Sequence, residues 1–123
     1  MASSKKVQAG PAVKGQLDML LLAVLASGPS HGYAVIEQLR EGSDELFDLP
    51  EGTVYPALHR LERSGLLASD WDASGGRPRR VYRITTKGSS RLEEQRSAWE
   101  QFSASIDRML EEPWSTNVRP NMG

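Results

Sequence analysis

A mainly α fold with a small β-hairpin and a long closing helix is predicted by three features of the 123-residue sequence. Apolar residues recur at helical spacing in separate segments along the chain. Only two short stretches read as strands, one opening with Leu66, Leu67 and Ala68 and one at Val81, Tyr82, Arg83 and Ile84, with Ser74-Gly75-Gly76 permitting a sharp reversal between them. The third feature is order: GTVYPALHRLERSGLL (52–67) runs directly into ASDWDASGGRPRRVYRI (68–84), a helix followed by a hairpin whose tip is glycine and arginine. A winged helix-turn-helix uses that order to present one helix to a DNA groove and one loop to the adjoining phosphates.

Taken in order, residues 1–14 are small, polar and Pro/Gly-containing, so a mobile N-terminal arm is expected there, with Lys5 and Lys6 within reach of phosphates. Residues 15–86 form the expected winged-helix domain. Its first helix, over 15–27, carries Leu17, Leu20, Leu21, Val24 and Leu25 at helical spacing and stops at Gly28-Pro29. Ser30 is placed to cap a second helix, whose buried stripe is Tyr33, Ile36 and Leu39 with Val35, and which Gly42 ends. Leu46, Phe47 and Leu49 anchor the connector that follows. The third helix spans 51–64 and closes at Gly65. Pro56 lies inside it, but the carbonyl it crowds belongs to Gly52 in the first turn, where distortion is cheapest.

The last element, a dimerisation helix over 87–111, places Leu92, Gln95, Trp99, Phe102, Ile106 and Met109 at alternating spacings of three and four, a heptad seam with one polar position. Such a helix needs a partner, most simply a second copy of itself. Leu92, Trp99, Phe102, Ile106, Met109 and Leu110 are the expected dimer residues. Residues 112–123 show no periodicity and are expected to form a mobile tail.

Composition limits the function. At 38% hydrophobic content the chain can build one modest core, which leaves no room for a second, catalytic domain. The absence of cysteine excludes disulfides, thiolate metal sites and a cysteine nucleophile, and fits a cytoplasmic protein. No apolar run approaches membrane-spanning length. His31 and His59 are the only histidines, neither with a motif-spaced acid or nucleophile, so no enzyme activity is expected; His31 reads as a turn and capping residue. Glu93-Glu94 and Glu111-Glu112 are adjacent on solvated helix surface and do not converge as metal ligands. No cofactor is expected.

The net charge of -1 conceals a polarised distribution. Residues 60–91 hold eight basic side chains against Glu62, Asp70 and Asp72, whereas residues 37–51 hold six acids against Arg40 alone. One surface is therefore suited to a polyanion. On the third helix, Val54, Leu58 and Leu61 form the core stripe, leaving Thr53, Tyr55, Pro56, His59 and Arg60 for the major groove and Arg63 for phosphate. Two competing roles stand beside this: Tyr55 packing against the first helix and His59 simply solvated. In the wing, Gly75 and Gly76 let the backbone approach DNA while Arg77, Arg79 and Arg80 supply charge. Alternation along the strand means that Arg80 or Arg83 can instead support the hairpin.

These segments together resemble the PadR-like transcriptional regulators. LDMLLLAVLASGPSHGYAVIEQL is similar to the family's first two helices with their HGY turn, GTVYPALHRLERSGLL to its third, and GGRPRRVYRITTKG to its wing and following strand. The resemblance implies a dimeric winged-helix protein that binds double-stranded operator DNA and represses transcription until a small molecule lowers its affinity. Short, drug-responsive members carry a tryptophan at a set distance after the glycine opening the last helix. Two copies of it face each other across the dimer pore and sandwich flat molecules. Gly88 and Trp99 have the matching separation, so Trp99 with Phe102 is the implied site for a planar effector; packing of the seam is the alternative role for both rings. Two other functions remain open to a chain of this pattern: a winged-helix module that docks on protein, and a small-molecule sensor whose primary site is the Trp99 pore. The glycine-arginine wing favours DNA over the first.

Overall fold

The computed structural model describes residues 11–111; the expected arm at 1–10, with Lys5 and Lys6, and the expected tail at 112–123 lie outside them. The elements run α1 (Pro11–Ala26), β1 (Ser30–His31), α2 (Gly32–Gly42), α3 (Glu51–Arg63), β2 (Leu67–Asp72), β3 (Arg79–Ile84) and α4 (Thr86–Leu110). The chain divides into two compact units that meet within α4, the first closing at Leu92 and the second opening at Glu93. No helix among the described residues is long and apolar enough to cross a membrane.

The first unit is a three-helix core closed by a small antiparallel sheet of strand order β1-β3-β2. Its interior is aliphatic: Leu17, Leu21, Leu22 and Leu25 of α1, Val35 and Leu39 of α2, Val54, Ala57, Leu58 and Leu61 of α3. Tyr82 of β3 is the largest side chain buried completely, and its burial pushes the phenol's pKa up.

Several expectations need correction. Helix α1 starts at Pro11, so the last four residues of the expected arm are helical. Ser30 does not cap α2. It pairs with Tyr82 as part of β1, a strand too short to show a period in sequence, and its hydroxyl accepts a hydrogen bond from Gln38 at 2.9 Å. His31 takes the N-cap position but makes no side-chain cap bond. Tyr33 is 57% exposed, outside the buried stripe; the Glu37 carboxylate beside it raises its pKa. Leu92 is not an exposed seam residue: at 3% exposure it belongs to the core, because the first turns of α4 still pack on the winged-helix unit.

Two glycines set the path of the chain around α3 and α4. Gly65 has φ +82° and ends α3 in a Schellman motif, its N–H donating to the Glu62 carbonyl and the Leu66 N–H to that of Leu61. Thr85 then caps α4, its hydroxyl accepting from the Gly88 N–H at 3.0 Å and donating to the Gly65 carbonyl at 2.7 Å. Lys87 adds a bond to the Ser64 carbonyl at the end of α3. At Gly88, any β-carbon would collide with the Leu66 carbonyl, so only glycine lets α4 cross there.

Candidate nucleic-acid interface

Helix α3 is amphipathic in the sense its sequence demands. Val54, Ala57, Leu58 and Leu61 are buried, and Pro56, His59, Arg60 and Arg63 are exposed on the opposite side. The helix continues through Pro56 without interruption. Thr53 and Tyr55 are only partly exposed. Tyr55 is partly structural, packed against the core and against the start of α2: a β-carbon on buried Gly32 would run into its ring. Burial raises the Tyr55 pKa, with the nearby Glu51 carboxylate adding to it.

The hairpin stands beside this face. Its register pairs Leu67 with Ile84 at the base and Asp72 with Arg79 at the far end. Asp72 organises the turn, with one carboxylate oxygen accepting the Ser74 N–H at 3.0 Å and the other 3.4 Å from His31 Nε2. Those bonds, the Ser74 amide first, hold the Asp72 carboxyl below the ordinary carboxylate range. Gly76, at φ +97°, turns the chain at the tip.

The three wing arginines are not equivalent. Arg77 and Arg79 are exposed, and among the described residues neither has an ion-pair partner; the same holds for Arg63 on α3. Arg80, though exposed, is held by the fold: its Nε donates to Ser69 Oγ at 2.8 Å, Nη2 lies 3.6 Å from Glu62, and the guanidinium sits 5.2 Å from the Trp71 ring. Ser69 in turn donates to Glu62 at 2.6 Å. Arg80 is thus a strut between the hairpin and α3, and Arg83 pairs with Asp70 at 3.6 Å.

Between hairpin, α3 and the start of α2 lies an open cleft of about 360 Å³, bounded in part by Tyr33, Tyr55, His59, Trp71, Arg80 and Tyr82. Trp71, 66% exposed, was not singled out by the sequence patterns. Its direct cross-strand pairing with Arg80 was the available signal. Glu62 and Asp18, which engage Arg80 and Arg60, were missed because partners so distant in sequence carry no local mark.

In the second unit, α4 exposes Trp99 (40%), Phe102 (57%), Ile106, Met109 and Leu110. The Trp99 and Phe102 rings are neighbours, 5.8 Å between centroids and tilted by 48°.

Comparison with known proteins agrees with this geometry. The model of the transcriptional regulator PadR-like family matches residues 21–94. The chain is 40% identical over 82 residues to the transcriptional regulator Rv3488 of Mycobacterium tuberculosis, covering 66% of this chain and 73% of that one. Among solved structures, a PadR family transcriptional regulator from Eggerthella lenta superposes with a TM-score of 0.72 at 36% identity, over 81% of this chain and 86% of its own. A transcriptional regulator from Clostridium thermocellum superposes with a TM-score of 0.76 at 29% identity, over 83% of this chain and all of its own. An exposed α3 face, a basic wing beside it and these likenesses lead to one statement: the chain belongs to the PadR-like family of DNA-binding transcriptional regulators and is not an enzyme.

Proposed function

We propose that the protein is a homodimeric repressor that binds an inverted-repeat operator and releases it when a planar small molecule occupies the dimer pore. The observation that carries the reading is the set of cations without an ion-pair partner among the described residues, Arg63 on the exposed side of α3 and Arg77 and Arg79 on the hairpin beside it. Unpaired arginines on a rigid hairpin suit phosphate contacts, while Thr53, Tyr55, Pro56, His59 and Arg60 lie where base edges are read. A single reading head of this size has limited contact area, so two are needed for a specific site. Twofold symmetry then makes the operator an inverted repeat with half-sites about one helical turn apart.

The exposed apolar side chains of α4 support dimerisation, since a run of large apolar groups at heptad spacing is costly to leave in water. The adjacent Trp99 and Phe102 rings support an effector site for a flat molecule. Footprinting on the protein's own promoter tests the operator: protection of two half-sites is expected, and protection of one site without symmetry contradicts the dimeric reading. Titrating a planar cationic dye into the DNA complex tests the effector. Coupled binding requires each ligand to weaken the other; quenching of tryptophan fluorescence without DNA release would leave binding but remove the switch.

A further inference from the structure

Among the described residues, Arg60 is the only cation on the exposed face of α3 that the protein itself holds. Its Nη2 donates to Oδ1 of Asp18, 42 positions away on α1. Asp18 is the sole acid in α1, a helix otherwise composed almost entirely of apolar and small residues. Half of the Arg60 side chain and about a third of that of Asp18 remain exposed. An ion pair this open to water adds little to fold stability. Its consequence is geometric. Arg carries five N–H donors in a planar fork, and fixing one edge on a carboxylate leaves the other edge oriented and free. A guanidinium that reads guanine does so through two parallel N–H bonds, which demands a fixed plane.

We propose that Asp18 is a specificity-determining residue: by anchoring one edge of the Arg60 guanidinium, it aims the other edge at a base. The inference rests on the reading of α3 as the base-contacting element. It distinguishes Arg60 from Arg63, which has no such anchor among the described residues and serves as a phosphate contact. It also gives α1 a part in DNA recognition without touching DNA. The Asp18 carboxylate adds a negative charge near the polyanion, so it lowers affinity for any sequence while raising the preference for one.

The test compares wild type, Asp18→Asn, Asp18→Glu, Arg60→Ala and the Asp18→Asn/Arg60→Ala double variant, all as full chains. The probes are a duplex selected by the wild-type protein from a random pool and a scrambled duplex of the same composition. Asp18→Asn is expected to lower the ratio of selected to scrambled affinity about tenfold, with scrambled affinity unchanged or higher. Asp18→Glu restores part of the ratio, and the double variant is no less selective than Arg60→Ala alone, because both changes remove the same interaction with the base. A purely structural role predicts equal losses on both duplexes. If Arg60→Ala lowers the ratio and Asp18→Asn does not, the anchoring role is overturned while base reading by α3 stands. If Arg60→Ala leaves the ratio intact, Arg60 reads no base and the inference falls with it.

Discussion

The Tyr55 ring lies against the α-carbon of Gly32: a methyl group placed there would stand 2.8 Å from both Cζ and the hydroxyl oxygen of the phenol. No protein tolerates such an approach without movement, so Gly32 fixes where a residue of the third helix points. Gly32→Ala is expected to swing Tyr55 outward and weaken operator binding several-fold, with an overpacking cost of about 1–3 kcal/mol in stability. Fluorescence anisotropy with labelled operator measures the first and thermal unfolding the second. Unchanged affinity would mean that the Tyr55 pose is irrelevant to recognition.

Gly88 is predicted to be more sensitive still. The obstacle to a side chain there is the Leu66 backbone carbonyl, which cannot rotate away as a tyrosine can. Gly88→Ala is therefore expected to destabilise the protein by about 3 kcal/mol, at the upper end of overpacking effects, detectable as a fall in Tm of roughly 10 °C or more. A shift within a degree or two of wild type would show that α4 can move off the Leu66 carbonyl freely.

Acid should release the wing turn at an unusually low pH. Hydrogen bonds from Ser74 and His31 favour the ionised Asp72, so its folded pKa is depressed relative to the unfolded chain. A depressed carboxyl contributes stability that is present above the unfolded pKa and lost as pH falls through the folded one. The Ser74 amide resonance, followed by NMR, is expected to titrate with a midpoint below the ordinary aspartate value. A midpoint at or above that value contradicts the turn described.

The exposed residues of α4 give a direct prediction of assembly. Wild type is expected to sediment as a dimer; replacing Phe102 and Ile106 with aspartate puts charge on the expected seam, and sedimentation analysis should then find monomers. The helical content of the protein is expected to persist. A dimer that survives both changes would place the interface elsewhere.

Legibility in the sequence followed the range of the interactions. The helix boundaries at Gly42 and Gly65 and the buried stripe of α3 were readable because periodicity and glycine punctuation are local. The start of α2 was not, because β1 is two residues long and exists only by pairing with Tyr82 and Val81. Tyr33 was misplaced because a tyrosine at core spacing looks the same whether it packs inward or turns to a neighbouring carboxylate such as Glu37. Wing charge was evident, and strand alternation narrowed the supporting arginine to Arg80 or Arg83, but did not say which of the two braces α3. Which arginine is a strut depends on Glu62 and Ser69 meeting Arg80 across the fold, and sequence spacing contains no trace of that meeting.

The centre of the proposal is a division of labour in which α3 supplies specificity and Arg77 and Arg79, without ion-pair partners among the described residues, supply salt-dependent affinity. The most direct test measures the affinity of wild type and Arg77→Ala/Arg79→Ala for operator and scrambled duplexes across a range of salt concentrations. The double variant is expected to flatten the slope of log affinity against log salt by about 0.9 for each phosphate that is no longer neutralised, while the preference for operator over scrambled DNA survives. An unchanged slope, or a preference that collapses with the wing charges, would contradict it.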